Sequence, residues 1–186
     1  MINHLYDKEL KRFIRGLRFN RKKGYFEPDS TIDSSLAGVF LFHVLPAYDR
    51  MVAETMQQVE EVLWVKTKIG GVARYYGDYY FRQTEDLARV PGNPWFISTL
   101  WLAQYYIKRS RSIEELTRAR RFLEWCVKYA LPTGVMPEQV NPFSGEALSV
   151  APLNWSHAAF ITAFLDYITR YQELEAAHKM LLTSPV

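Results

Sequence analysis

"NPWFISTLWLAQYYIKR", residues 93–109, is followed after two residues by "SIEELTRARRFLEWCVKYAL", residues 112–131. The first stretch is apolar on nearly every side from Pro94 to Ile107, the pattern of a helix buried all round. The second confines its apolar residues to one stripe, Leu116, Ala119, Leu123, Cys126, Val127 and Ala130, the pattern of a helix with one covered face. Both carry start signals. Asn93 stands as cap before Pro94 at the first helical position, and Ser112 with Glu115 matches a capping box. This alternation decides the fold.

Working outward, "TIDSSLAGVFLFHVLP", residues 31–46, is again apolar on almost every side, with Asp33 or Ser30 to cap its start and Pro46 to end it. A one-sided helix follows over about 49–65, with Val52, Met56, Val59 and Leu63 on one face. "GGVARYYGDYYF" then breaks the periodicity with Gly70, Gly71 and Gly77. A last helix starts at Asn154 or Ser156 and carries Ala158, Ile161, Leu165 and Ile168, with fraying expected beyond about Leu174. Near the start, residues 2–15 read as a short amphipathic helix, and "FIRGLRFN" can pair with "GYFEPD" as a short hairpin.

The expected fold is therefore all-α, with helices in two concentric layers. Residues 34–45, 94–107 and 155–171 form the inner layer, and 49–65 and 112–130 form the outer one. Two of the connections that precede inner helices, 66–93 and 131–153, are far longer than the 4–6 residues usual between packed elements. Both open at the same end of the inner layer, which is where a site is expected.

Composition narrows the classes of function. With 186 residues the chain suffices for one domain with a real core, and 48% hydrophobic with 23% charged residues is ordinary for a globular protein. The aromatic share of 15% suits a dense helical core and equally suits stacking on sugars. A net charge of +3 makes no general case for nucleic acid. The one basic stretch, "KELKRFIRGLRFNRKKGYF", residues 8–26, reads as a solvated helix end and turn. Cys126 is the only cysteine, so no internal disulfide forms, and its apolar setting marks a buried thiol. The N-terminus lacks the apolar core of a signal peptide, and no apolar run reaches the ~18–20 residues of a membrane helix, so a cytoplasmic location without membrane contact is expected. His4, His43, His157 and His178 share no ligand spacing, so no metal is expected. Phosphate-loop, dinucleotide and nucleophile-elbow motifs are missing, as is a positioned partner for a Cys or Ser nucleophile.

What remains is a constellation on the two long loops: Arg74, Trp95, Glu138 and Trp155. An arginine offers planar, fixed donors to sugar hydroxyls, and a tryptophan offers a flat face to a pyranose ring. A carboxylate in such a site can act as general base toward water. "ARYYGDYYF", "GNPWFISTLWLA", "GVMPEQVNPFSGEAL" and "LNWSHAAF" together resemble glycoside hydrolase family 15, over about Tyr6 to Tyr171. Its members are glucoamylases, glucodextranases and related inverting exo-acting α-glucosidases with an (α/α)6 barrel, a six-hairpin toroid.

The resemblance implies that Glu138, the glutamate of the EQ motif, is the general base. It implies that Arg74 and Trp95 line the terminal-sugar subsite and that Trp155 forms another wall of the cleft. Asn93 is expected to cap its helix, and Asp33 to orient its neighbours. An α-glucan or oligosaccharide is the implied substrate, with no cofactor. The family's general acid lies in a Trp-Glu-Glu motif, and no "WEE" occurs here. Residues 1–186 thus look like the C-terminal half of the catalytic barrel, whose partner is the missing N-terminal half or a second copy of the chain. A non-catalytic carbohydrate-binding or regulatory protein built on the same half-barrel is the rival reading. A trehalase-type specificity ranks third, behind these two, because "GNPWF" looks more like the glucoamylase branch.

Overall fold

The computed structural model describes residues 2–183. The N-terminal segment departs from the expected helix. Helix α1 covers only Ile2–Leu5, after which β1 (Tyr6–Asp7) pairs antiparallel with β2 (Arg12–Phe13). The cause is local. Asp7 Oδ1 accepts from the N–H groups of Glu9 and Leu10, offering the backbone a turn in place of helical bonds. The expected hairpin does form, as β3 (Gly16–Asn20) and β4 (Tyr25–Asp29).

Of the anticipated inner helices, one is buried nearly all round as expected, although it starts two residues later. Helix α4 (Phe96–Arg109) buries Phe96 through Leu100 and Leu102 through Ile107. The stretch after Asp33 is shorter than expected: a 3-10 turn over Ser34–Ala37 and one helical turn, α2 (Gly38–Leu41). His43 then takes a positive φ of 58°, and the N–H groups of Val44 and Leu45 fold back onto the Val39 carbonyl. That stops the helix well before Pro46 and leaves Phe42 81% exposed.

The outer helices form where expected, and the first follows its stripe. Helix α3 (Arg50–Leu63), capped by Asp49, buries Val52, Met56, Val59 and Leu63 as expected, with Thr55. Helix α5 (Ile113–Tyr129) opens on Ser112, whose Oγ accepts from the Glu115 N–H, while Glu115 Oε2 accepts from the Arg111 N–H. Its covered face is rotated from the expected one: Phe122 and Trp125 are buried, and Val127 faces solvent.

The largest correction concerns α6 (Asn154–Thr183), which continues past Leu174 without a break. It buries Ser156, Ala163 and Leu174, yet Ile161, Phe164, Leu165 and Ile168 are exposed. Helices α3 and α5 thus lie deeper than 155–171, because α6 meets α4 and α5 on one side and nothing in residues 2–183 covers its other apolar side.

The structure is also not purely helical where the site is formed. Four two-residue strands make a sheet in the order β5 (Val72–Ala73), β6 (Pro94–Trp95), β7 (Gln139–Val140), β8 (Ala147–Leu148), all antiparallel. The loops read as irregular therefore pair with one another. Thr99 of α4 locks the sheet to the helix: its Oγ1 donates to the Trp95 carbonyl at 2.8 Å and accepts from the Val72 N–H at 3.0 Å. Gly71, at φ 87°, enters β5 where a Cβ would stand 2.6 Å from the Trp125 ring and 2.7 Å from Pro94. Among the described residues, no helix is long and apolar enough to cross a membrane.

Candidate active site

The small sheet positions three of the four expected residues. Arg74 follows β5, Trp95 ends β6, and Glu138 precedes β7. Trp95 lies opposite both Val72 and Gln139, so β6 is the middle strand between the arginine and the glutamate. Arg74 lies one residue beyond the Ala73–Pro94 pair, whereas Glu138 is bonded at Phe96, so the two flank β6 from opposite sides and opposite ends. The Phe96 N–H donates to the Glu138 carbonyl at 3.2 Å, fixing Glu138 against the first turn of α4. Its N–H donates to the Val150 carbonyl at 3.0 Å. The Glu138 carboxylate is half-buried and accepts from Gln139 Nε2 at 3.4 Å.

Arg74 and Trp95 touch. The guanidinium carbon lies 4.5 Å from the Trp95 ring centre, 5.0 Å from that of Tyr75 and 5.6 Å from that of Tyr80. Its other contact was not anticipated: Asp78, buried, receives Arg74 Nε at 2.9 Å and Nη2 at 2.8 Å. Such a fork-on-carboxylate pair fixes the guanidinium plane. Burial opposes the charge on Arg74, but the hydrogen bonds and charge of Asp78 outweigh it, so the guanidinium is held above its ordinary value. Burial and then the charge of Asp78 push the Tyr75 phenol up. The signal for Asp78 was present in "RYYGD", an acid four residues after the arginine. Close approach is permitted by Gly92, where a Cβ would stand 2.9 Å from the Asp78 Cβ.

Asn93 does not cap α4, which takes Trp95 as its N-cap. Instead its buried Nδ2 donates to the Phe81 carbonyl and to Gln139 Oε1, both at 2.8 Å, tying the loop after β5 to β7. Pro94 and Trp95 are drawn into the sheet, which overrides the helix-start signal that the Asn-Pro pair carries. Gln139, fully buried, is thus a bracing residue that the EQ motif concealed. Trp95 is buried, and among the described residues its Nε1 and the Asn93 Oδ1 are buried without a hydrogen-bond partner.

Trp155 is placed differently. It sits in the first turn of α6, 56% exposed, with its ring edge-on to Trp101 at 5.8 Å. The chain connects it to the sheet: Ser156 Oγ donates to the Pro137 carbonyl at 2.8 Å, and the Met136 N–H donates to His157 Nε2 at 3.0 Å. Asp33 caps the turn after it through the Ser35 N–H, forms a backbone bridge with Tyr75, and lies 3.6 Å from Arg15. Among the described residues, no group of three His, Cys, Asp or Glu side chains is placed to hold a metal.

Comparison with known proteins adds independent findings. The model of the family described as Glycosyl hydrolases family 15 matches residues 13–165. An uncharacterized glycosyl hydrolase of Methanocaldococcus jannaschii is 33% identical over 143 residues, covering 72% of this chain and 21% of the relative. Trehalase 2 of Sulfolobus acidocaldarius is 26% identical over 136 residues, covering 73% of this chain and 21% of the relative. Among solved structures, a bacterial glucoamylase complexed with acarbose matches with a TM-score of 0.67 at 22% identity, over 86% of this chain and 25% of that chain. The glucoamylase of Saccharomycopsis fibuligera matches with a TM-score of 0.63 at 13% identity, over 90% of this chain and 46% of that one. At these identities the structural likeness speaks to fold alone: this chain is folded as part of the helical glucoamylase architecture. It spans about a fifth of the length of the curated relatives it matches.

Proposed function

The chain belongs to glycosyl hydrolase family 15, and from that premise we propose that it supplies one half of the active site of an inverting, exo-acting α-glucosidase. In this reading residues 1–186 form about half of an (α/α)6 barrel. The carrying observation is the sheet that places Trp95 between the strands leading to Arg74 and Glu138. Arg74, aimed by Asp78, donates to hydroxyls of the terminal sugar, and Trp95 and Trp155 wall the ring. A solved neighbour complexed with acarbose supports an oligosaccharide ligand.

The chemistry follows from the two-carboxylate rule. Glu138 takes a proton from a water as the water oxygen bonds to the anomeric carbon and the glycosidic bond breaks. A carboxylic acid outside this chain gives its proton to the leaving oxygen. In inverting enzymes the two carboxyl groups stand roughly 6.5–9.5 Å apart to admit that water.

A second reading has its own support. Trehalases of Sulfolobus acidocaldarius and of Mycobacterium tuberculosis are among the sequence relatives, the latter 28% identical over 149 residues. The assay therefore measures glucose release from maltose, isomaltose and trehalose. The samples are the chain alone, the chain completed by the acid-bearing half, and the completed Glu138→Gln form. Base assistance is worth about 10²–10⁴-fold, so the Glu138→Gln enzyme is expected to lose two to four orders of magnitude in turnover while sugar binding is kept. Full activity in that variant removes Glu138 from the mechanism. Robust hydrolysis by the chain alone means that the acid has been misplaced. Binding without turnover in the completed protein supports the non-catalytic rival.

A further inference from the structure

Glu138 follows a segment that cannot pair as a strand. Pro137 carries no N–H, so β7 begins only at Gln139, and the residues before it need other partners. The main chain supplies three. The Met136 carbonyl accepts from the Leu153 N–H at 3.1 Å, the Glu138 N–H donates to the Val150 carbonyl at 3.0 Å, and the Glu138 carbonyl accepts from the Phe96 N–H at 3.2 Å. Side chains supply the rest. The Met136 N–H donates to His157 Nε2 at 3.0 Å, and the Pro137 carbonyl accepts from Ser156 Oγ at 2.8 Å. Every backbone polar group from Met136 to Glu138 is thereby satisfied, as the burial of Met136 and Pro137 demands.

Both of these side chains come from the first turn of α6, where neighbouring residues project about 100° apart. Ser156 is buried and His157 half-buried, whereas Trp155 is exposed. One turn of helix thus sends a ring outward and two polar groups inward onto the loop. A ring nitrogen that receives a backbone N–H carries no proton, so His157 bears its proton on Nδ1. Among the described residues the Glu138 carboxylate has one hydrogen bond, from Gln139 Nε2 at 3.4 Å. Its place therefore follows from its backbone more than from side-chain partners.

We propose that His157 is a positioning residue for Glu138. Its Nε2 holds Met136, two residues before the carboxylate, while the Ser156 hydroxyl holds the residue between. Without the imidazole the Met136 N–H is buried and unpartnered. The segment then relieves that loss by shifting, and Glu138 moves with it. A displacement of about 1 Å at a reacting group costs on the order of 10²-fold in rate.

This role rests on Glu138 being the base, and the test separates the two readings. His157→Leu removes the acceptor, whereas His157→Gln returns one at the reach of Nε2. On the chain at low concentration, hydrogen exchange read by mass spectrometry follows the Met136 and Glu138 amides beside those of Leu102 to Ile107 in α4. His157→Leu is expected to speed the first pair by about tenfold while α4 stays protected, and His157→Gln to keep both near wild type. In the chain completed by the acid-bearing half, the substrate is whichever of maltose, isomaltose and trehalose is cleaved fastest. There His157→Leu is expected to lower kcat by about 10- to 100-fold with KM held within about twofold, and His157→Gln to recover most of it. Exchange at Met136 and Glu138 unaltered by His157→Leu overturns the proposal, and so does acceleration that reaches α4, which makes His157 a support of the whole fold. Full kcat in His157→Leu, in an enzyme that Glu138→Gln inactivates, overturns it as well, as does a loss carried by KM or a His157→Gln form as slow as His157→Leu. Failure of the active-site reading shows elsewhere, as a Glu138→Gln enzyme as active as wild type, whatever the exchange shows.

Discussion

Arg74 and Asp78 are unequal partners, and the inequality can be measured. The Asp78 side chain is 1% exposed, while that of Arg74 is 37% exposed. Removing Asp78 lets the guanidinium turn toward water. Removing Arg74 strands a buried carboxylate that keeps the Tyr80 backbone N–H but loses its opposite charge. Arg74→Ala is therefore expected to cost about 3–5 kcal/mol of unfolding free energy, and Asp78→Ala about 1–3 kcal/mol. Urea denaturation of both variants checks the order, and a larger loss in Asp78→Ala contradicts it. The same pair marks the edge of what was legible. Arg74, Trp95 and Glu138 stood out because their loops are too long to be mere connections. Asp78 and Gln139 did not, since a buried acid and a buried amide are recognised by what they hold, and their partners lie in strands that only tertiary pairing creates. Asn93 was misread for that reason: Asn-Pro is a sound helix start until a sheet claims Pro94 and Trp95.

At the level of elements, the helices with one covered face were legible in extent, α3 from its stripe and α5 from its capping box at Ser112, although the covered face of α5 turned to Phe122 and Trp125. Elements made by side-chain competition were not, as where Asp7 diverts the N-terminal segment into β1 and β2. The β3–β4 hairpin offers a titration at its base. Burial would raise the Asp29 carboxyl, but hydrogen bonds from Arg15 and Thr31 and the charge of Arg15 outweigh it and lower it to about 2. An unfolded aspartate titrates near ~3.9, so within this window the unfolded chain binds more protons and stability rises with pH. The contribution is complete above about pH 4 and is lost as pH falls toward 2. Asp29→Asn lacks this titration. The melting-temperature gap between wild type and Asp29→Asn is expected to narrow across that window, and a constant gap means that Asp29 is not linked to folding.

For the whole molecule, the alternation of covered and one-sided helices predicted the depth of α4 but misjudged α6, and the reason lies outside any local pattern. A helix apolar all round specifies that both sides be covered, without saying by what. In α6 one side packs on α4 and α5, and the other presents Ile161, Phe164, Leu165 and Ile168, each between 39% and 58% exposed. Beside it runs an apolar groove against α5, lined by Leu123, Val127, Phe160, Phe164, Tyr167 and Ile168. Half-exposed side chains of this size sum to an apolar surface on the order of 400 Å², the size of the largest patch on a typical monomer and often a contact site. The purified chain is therefore expected to self-associate as its concentration rises, unless the polypeptide proposed to carry the acid covers α6. Ile161→Lys with Leu165→Lys is the discriminating variant. Both positions are more than half exposed, so the unfolding free energy of the monomer should change by no more than about 0.5 kcal/mol per site. A burial-driven contact, in contrast, is disrupted by two charges placed in its centre. Sedimentation velocity over a concentration series reads the association, and denaturation at low concentration reads the fold. Wild type shifting to larger species while the double variant stays monomeric and equally stable identifies α6 as the contact. A wild-type chain that remains a monodisperse monomer at high concentration, melting cooperatively, shows that the exposed face is tolerated in water and that α6 needs no cover.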